Sequence, residues 1–256
     1  MTKIAIIIPS RLKALRLPNK PLKLISQKEI ILHVYDLALR SNVGDVIVAT
    51  PDQKIVDLLK SKGGKAVLTS MSHETGTDRV FEVFEKYLKK ETEIIINLQG
   101  DMPNLNPTAI EKLLEHMRKK TCDIGTLASD FENKKEKDDT NVCKVICDKD
   151  IKEHSFSRAL DFYRNLENES NFTYHHIGIY AFTNKALIRY VGLKRSKLEI
   201  SRNLEQLRAL ENDMKIDVGY VDDCPLSVDT ENDLIKIKKN MENKWKKIKL
   251  LFKEKR

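Results

Sequence analysis

Two kinds of residue in this 256-residue chain are placed where they can do chemistry on a polyanion. The first is a run of cations. The stretch "PSRLKALRLPNKPL" (9–22) follows the apolar run "KIAIII" and carries Arg11, Lys13, Arg16 and Lys20, with Lys23 next and no acidic residue or glycine. Like charges in one loop repel, so the arrangement calls for a strongly anionic ligand among them or for solvent between them. Neither GxxxxGK[ST] nor GxGxxG is present, so side chains rather than a glycine nest must hold the anion. Arg grips phosphate oxygens bidentately and Lys adds a compact charge. The second kind is a pair of carboxylates. Asp101 follows the apolar run "IIINLQG", and Asp229 in "SVDTENDL" stands between a strand-like run and a helix. A turn aspartate often bonds its own backbone, and an aspartate before a helix is an ordinary N-cap. With a phosphate site beside them, the two carboxylates suit Mg²⁺.

Weaker signals accompany these. "SHETGTDRVFE" holds Gly76 in a polar loop, and Arg79 falls in a first helical turn, where the dipole disfavours a cation unless it reaches a ligand. Polar groups also interrupt apolar segments: Arg158 in "FSR", His175, His176 and Tyr180 in "HHIGIY", and Glu205 and Gln206 in "NLEQLR". His176 and Tyr180 are four apart on a strand-like segment and so share a face. Together they suit a polyhydroxylated, acidic ligand.

Strand–helix alternation must position these groups. Strand-like runs at 3–9, 45–51, 65–70 and 93–101 alternate with helical spacing at 29–41, 53–63, 78–90 and 106–120, the rhythm of βαβ units on a mostly parallel sheet. In such sheets ligands lie beyond the carboxyl ends of the strands. The second half predicts strands at 123–129, 142–148, 173–183 and 215–223, a charged loop between the first two, one strong helix over 197–213 and a last helix from 228. The expected architecture is one domain over 1–235 with a β-rich lobe inserted near 130–185, followed by a basic tail over 236–256.

Composition excludes several classes. The net charge of +8 lies wholly in residues 236–256, which hold ten Lys or Arg and two Glu, so residues 1–235 are neutral. The body therefore lacks a nucleic-acid footprint, although the tail can touch nucleic acid, a membrane surface or an acidic partner. No apolar run is long enough to span a membrane and the N-terminus is not a signal peptide, which predicts a cytoplasmic protein. The four cysteines include no CxxC pair. Cys143 and Cys147 fall on one strand face, and neither a disulfide frame nor a metal site is expected.

Taken in order, "IIPSR…RLPNKPL", "HETGTDR", "INLQGDMP", "FSRA", "HHIGIY", "LEQLR" and "VDTENDL" resemble the 3-deoxy-D-manno-octulosonate (Kdo) cytidylyltransferases, from about Lys3 to about Lys238. The resemblance implies a Rossmann-like nucleotidyltransferase fold, with helices on both faces and a small β-rich dimerisation lobe, in a homodimer. It implies the substrates CTP and Kdo, the cofactor Mg²⁺, and the product CMP-Kdo for lipopolysaccharide synthesis. Arg11, Arg16 and Lys20 would bind the CTP phosphates, and His73, Gly76, Thr77 and Arg79 would help to hold the cytidine. Asp101 and Asp229 would ligate the metal, with Arg11 and Lys20 completing the catalytic set. Gln99, Arg158, His176, Tyr180, Glu205 and Gln206 would line the sugar pocket. Three positions depart from the family's usual pattern. Asn19 stands where glycine is common, Met102 where the family has a glutamate, and "LDFYRN" replaces a proline–tryptophan segment after "FSRA". A cytidylyltransferase for another acidic keto sugar, an 8-amino Kdo or a sialic-acid-like one, shares these motifs. A nucleic-acid or membrane binder built on the tail, with an inactive body, is the reading from a different class; the neutral body and the Asp101–Asp229 pair count against it.

Overall fold

Every apolar run of the first half becomes a strand. The structure, a computed structural model, describes residues 3–165 and 170–253, and beyond residue 243 the backbone alone. The first half comprises β1 (Lys3–Pro9), a short hairpin of β2 (Leu24–Ile25) and β3 (Lys28–Glu29), α1 (Ile30–Arg40), β4 (Asp45–Thr50), α2 (Gln53–Ser61), β5 (Ala66–Leu68), α3 (Gly76–Val83), β6 (Thr92–Leu98) and α4 (Pro107–Arg118). The second half comprises β7 (Ile124–Ser129), α5 (Lys134–Asp138), β8 (Lys144–Cys147), α6 (Ile151–His154), β9 (Phe156–Tyr163), β10 (Thr173–Thr183), α7 (Asn184–Gly192), α8 (Lys197–Arg202), α9 (Gln206–Leu210), β11 (Ile216–Tyr220) and α10 (Glu231–Lys253). No described helix is long and apolar enough to cross a membrane.

Nine strands form one sheet in the order β5-β4-β1-β6-β10-β7-β11-β9-β8. From β5 to β6 the pairings are parallel, as expected for βαβ units. Beyond β6 the sheet departs from the mostly parallel expectation. β10 runs antiparallel between β6 and β7, and β9 runs antiparallel to both β11 and β8. β8 also pairs with the start of β10, so β10, β7, β11, β9 and β8 close into a ring. The β-rich segment therefore does not stand apart as an inserted lobe; β10 lies in the middle of the main sheet.

Alternation along β1 shows how the layers are built. Ile4, Ile6 and Ile8 face a core formed with α1, α2 and α4, while Ala5 and Ile7 face a second core with α3, α7 and α9. A third, small cluster joins Leu17, Ile25 and Ile30 to Val228, in the loop before the last helix, and to Leu234 and Ile237 of that helix. It anchors the basic loop, for Leu17 is buried between Arg16 and Lys20, a burial that contributes roughly 1.5–3 kcal/mol. Asn19 takes a left-handed turn at φ 57°, the conformation for which asparagine is the best substitute for glycine.

The helix expected over 197–213 is broken in two. Asn203 is left-handed at φ 52° and ends α8, and the chain turns through Leu204 and Glu205 into α9. The break is held by a buried ion pair: Glu199 caps Ser196 at the start of α8 and also receives Arg208 of α9 at 2.6 and 2.8 Å. The Arg208 guanidinium lies 4.7 Å from the Tyr190 ring centroid. The kink matters because it presents Glu205 and Gln206. Strand β9 (Phe156–Tyr163) has no counterpart among the expected strands; only Arg158 of "FSR" stands out in that segment. The tail expected over 236–256 is helical to Lys253, and its last three residues lie outside the described ones.

Truncating Glu199 to Ala leaves the Arg208 charge buried and unpaired, which should cost about 3–5 kcal/mol. The urea midpoint should fall accordingly, whereas Asp45→Ala, which breaks the exposed pair with Lys65, should cost less than about 1 kcal/mol. Equal effects from the two variants would remove the ion pair as the brace of the kink.

Candidate active site

β6 ends at Leu98 and delivers Gln99, Gly100 and Asp101 at its carboxyl end. Gly100 suits the close approach of the two turns, since a Cβ there would lie 3.1 Å from the Pro9 carbonyl oxygen at the end of β1, a tight contact. The second carboxylate arrives from the far end of the chain. The Val228 amide donates to the Asp101 carbonyl at 2.9 Å, and the Leu226 amide to the Asn104 side chain at 3.0 Å. Asp229 is not the helix cap. Thr230 caps α10, exchanging side-chain and backbone bonds with Asp233 at 2.8, 2.9 and 3.2 Å, and Asp229 is left to the site.

Lys20 closes the arrangement. Its Nζ lies 2.9 Å from Asp101 Oδ2 and 3.0 Å from Asp229 Oδ1, and an Arg16 guanidinium nitrogen lies 3.2 Å from the other oxygen of Asp229. Burial alone would lower the Lys20 ammonium, but Asp101 and Asp229 outweigh it and raise the group above its ordinary value. Burial would likewise raise the Asp229 carboxyl, and Lys20 and Arg16 hold it below its usual range.

Two cavities meet at this cluster and share Arg16, Gln99, Asp101, Glu205 and Asp229 in their walls. The first, about 550 Å³, is lined by Arg11, Lys13, Lys20, Gly76 and Arg79, all on the basic loop or at the start of α3. The buried Arg79 donates to the Ser70 carbonyl at 3.0 Å, which is a structural role, yet it also faces the cavity. Burial lowers its guanidinium, and the nearby Arg11 charge lowers it further. Two guanidiniums that repel across a cavity are ready for an anion. The resemblance's His73 does not reach this cavity. Its ring bonds Glu82, whose carboxylate also accepts the Ser70 amide and the Lys86 ammonium, so His73 serves the loop instead.

The second cavity, about 930 Å³, is lined by Thr77, Gln99, His176, Tyr180, Glu205 and Gln206. Thr77 thus falls on this side rather than with the basic residues. A polar chain runs beneath it: Gln99 donates to Asn97 at 3.2 Å, Asn97 to Thr77 at 3.3 Å, and Thr77 to Glu205 at 2.9 Å. Burial raises the Glu205 carboxyl. It pushes the His176 imidazole down to about 3, so this ring is neutral, 2.9 Å from the Thr126 hydroxyl. His176 and Tyr180 do share a face, with ring centroids 5.5 Å apart.

Arg158 is absent from both cavity walls. Its Nε pairs with Asp217 at 3.0 Å, below α4, where Phe156 stacks on His116. Arg164 lines the second cavity instead. The reason is a bulge: Ile146 faces Asp161 and Cys147 faces Ala159, leaving Leu160 as an extra residue in β9. One extra residue inverts the alternation, so arginines six apart emerge on opposite faces. Sequence reasoning also missed the wall formed by 132–142. The charged loop there contains α5, capped by the Asn133 side chain on the Glu136 amide at 3.1 Å, and the N-x-x-E spacing was its one visible signal. The buried Lys144 ties that wall to Arg164, donating to the carbonyls of both Asp139 and Arg164.

A mixed sheet with a basic pocket, one carboxylate at a strand end and a second brought to it by the loop before the last helix suits a nucleotidyltransferase site. The comparisons agree: residues 5–216 match the cytidylyltransferase family. The chain is 41% identical over 239 residues to the 3-deoxy-manno-octulosonate cytidylyltransferase of Thermodesulfovibrio yellowstonii, covering 89% of this chain and 94% of that one. It is 43% identical over 232 residues to that of Afipia carboxidovorans, covering 90% and 93%. Among solved structures, a CMP:2-keto-3-deoxy-manno-octonic acid synthetase complexed with CTP superposes with a TM-score of 0.86 at 35% identity, over 95% of this chain and 100% of that one. A 4-diphosphocytidyl-2C-methyl-D-erythritol synthase from Anaerococcus prevotii shares the fold, with a TM-score of 0.64 at 16% identity. The chain belongs to the 3-deoxy-manno-octulosonate cytidylyltransferase family, and it is an enzyme of the nucleotidyltransferase class.

The brace at Glu82 has a pH signature. Burial would raise its carboxyl, but bonds from Lys86, Ser70 and His73 lower it from 4.5 to about 2. A lowered folded value means that the stabilisation is full above pH 4.5 and is lost as pH falls towards about 2. The gap in thermal midpoint between the parent chain and Glu82→Gln should therefore be largest near neutrality and close across that window. A gap independent of pH would remove the ion-pair account.

Proposed function

We propose that the enzyme transfers the cytidylyl group of CTP to Kdo, in a Mg²⁺-dependent reaction that gives CMP-Kdo and pyrophosphate. The observation that carries this reading is the convergence of Asp101, Asp229 and Lys20 where a basic cavity opens into a polar one. The donor set fits magnesium, because two carboxylates that face cavities offer hard oxygen ligands and leave room for phosphate oxygens and water. When bound there, magnesium would supply Lewis-acid stabilisation of phosphate charge and ease deprotonation of a nearby hydroxyl.

The residues have separable tasks. Arg11, Arg16, Lys20 and Arg79 neutralise the triphosphate and hold it in the first cavity. Gln99, His176, Tyr180, Gln206 and Arg164 orient the sugar acid in the second, with Arg164 matched to its carboxylate. The anomeric hydroxyl gives its proton to solvent as its oxygen forms a bond to the α-phosphorus, the bond to the bridging oxygen of the β-phosphate breaks, and pyrophosphate departs with that electron pair. Positioning and charge neutralisation account for most of the rate, as in other phosphoryl transfers. One feature favours a second reading, an amine-bearing analogue such as an 8-amino Kdo: Glu132 and Asp139 bring carboxylates to the wall of the sugar-side cavity.

Pyrophosphate release should require CTP, Mg²⁺ and Kdo together, each omission abolishing it. Release only with an amino sugar or another keto-acid sugar would transfer the assignment to that substrate. Asp101→Asn and Asp229→Asn should each lower kcat about 10²–10³-fold while the chain still folds, as read by its circular dichroism; near-normal turnover would reject them as metal ligands. Arg164→Ala should raise the sugar KM about 10- to 100-fold and spare the KM for CTP. If Arg158→Ala raised it more, the resemblance's residue would be restored in place of Arg164.

A further inference from the structure

A second set of potential ligands lies in the wall of the larger cavity, apart from the two aspartates. Glu136 of α5, His175 of β10 and Cys224 beyond β11 come together from three remote segments. One Glu136 oxygen is 2.8 Å from His175 Nδ1, Cys224 Sγ is 3.4 Å from the same nitrogen, and the three ligand atoms lie within 4.8 Å of one another. Ligands held tetrahedrally at zinc-like bond lengths sit about 3.2–3.8 Å apart, so only small side-chain adjustments separate this cluster from a coordination shell. The groups are also held. Asn133 caps the turn that carries Glu136, and Phe131 stacks on the His175 ring at 6.2 Å and 18°. His175 is fixed in mid-sheet by pairing with Ser129 and Lys144.

We propose that Glu136, His175 and Cys224 form a binding site for a borderline-soft divalent cation of the zinc type, distinct from the Asp101–Asp229 site. A carboxylate, an imidazole and a thiolate are the donors such a cation prefers, whereas magnesium prefers oxygen alone. All three residues line the cavity, so the fourth coordination position is left to water or to a hydroxyl of the molecule that fills it. Among the described residues, a second cluster of such groups shows the contrast. At His116, Cys122 and Asp217 the cationic Arg158 already pairs with the carboxylate at 3.0 Å, and burial pushes the Cys122 thiol up to about 12. An arginine stands there in the place a metal would take.

The test is a cobalt titration of the full chain, freed of metal by chelator and kept in excess Mg²⁺, with neither CTP nor sugar present. Co²⁺ should bind with a thiolate-to-metal charge-transfer band in the near ultraviolet, and Zn²⁺ should displace it one for one. Cobalt at the aspartate site gives no such band, because that site has no thiolate, so the result is independent of the transferase assignment. Cys224→Ser should abolish the band and weaken binding about 100-fold or more, since even outer-shell partners are worth roughly 10–100-fold. Cys122→Ser should leave both unchanged. Should Cys224→Ser fail to fold, His175→Gln must remove the same band. Absence of the band in the parent chain, its persistence without Cys224, or its loss in Cys122→Ser would overturn the proposal.

Discussion

The ammonium of Lys20 holds the active site together. Asp101 and Asp229 lie 81 and 209 residues from it in sequence, and two carboxylates brought to one point repel unless a cation stands between them. Much of the local structure serves that one contact. Leu17 is buried so that the basic loop turns back with Lys20 inward, Gly100 lets the β6 turn lie against β1, and the Val228 amide ties the two aspartate loops together. Lys20 and Arg16 balance the two carboxylates, so the junction is locally neutral. Arg11 and Arg79 have no carboxylate bonded to them among the described residues and face the first cavity, where the triphosphate is proposed to lie. The charge is thus zoned, basic on one side of the junction and mixed, with carboxylates interleaved among lysines, along the 132–142 wall on the other.

The antiparallel β10 makes this zoning possible. A wholly parallel sheet would put helices after every strand and leave one crevice at the switch point. Inserting β10 beside β6 places His176 and Tyr180 next to Gln99, and the ring closed through β8 brings the charged wall round to face them. The Gln99–Asn97–Thr77–Glu205 chain then satisfies the polar groups that both cavities would otherwise bury unpaired.

What was readable in the sequence depended on whether local rules decide the position. β1, β4 and β6 were readable because buried parallel strands appear as apolar runs, and Asp101 because it directly follows one. The Asp229 reading required the combination, since alone it looks like a helix cap; the cap turned out to be Thr230. Arg158 was misplaced because a single extra residue in β9 reverses the faces, and no local signal announces a bulge. The helix over 197–213 had good periodicity, and Asn203 with a long-range ion pair overrode it. The Glu136–His175–Cys224 cluster had no spacing to read, because its members are about 40 to 50 residues apart and meet only through the ring.

The same charge balance accounts for Met102. The resemblance implies a glutamate there, next to Asp101, the proposed magnesium ligand. In this chain the position is 3% exposed and packs into the core between the sheet and α4. A carboxylate at that depth would need its own partner, yet Lys20 and Arg16 are already matched by Asp101 and Asp229. With methionine, the junction is neutral before any substrate arrives, and an uncharged thioether side chain lines the cavity instead. The loss of an acidic group is therefore compatible with a working site: the two remaining carboxylates are the ones that the fold holds in place from both ends of the chain.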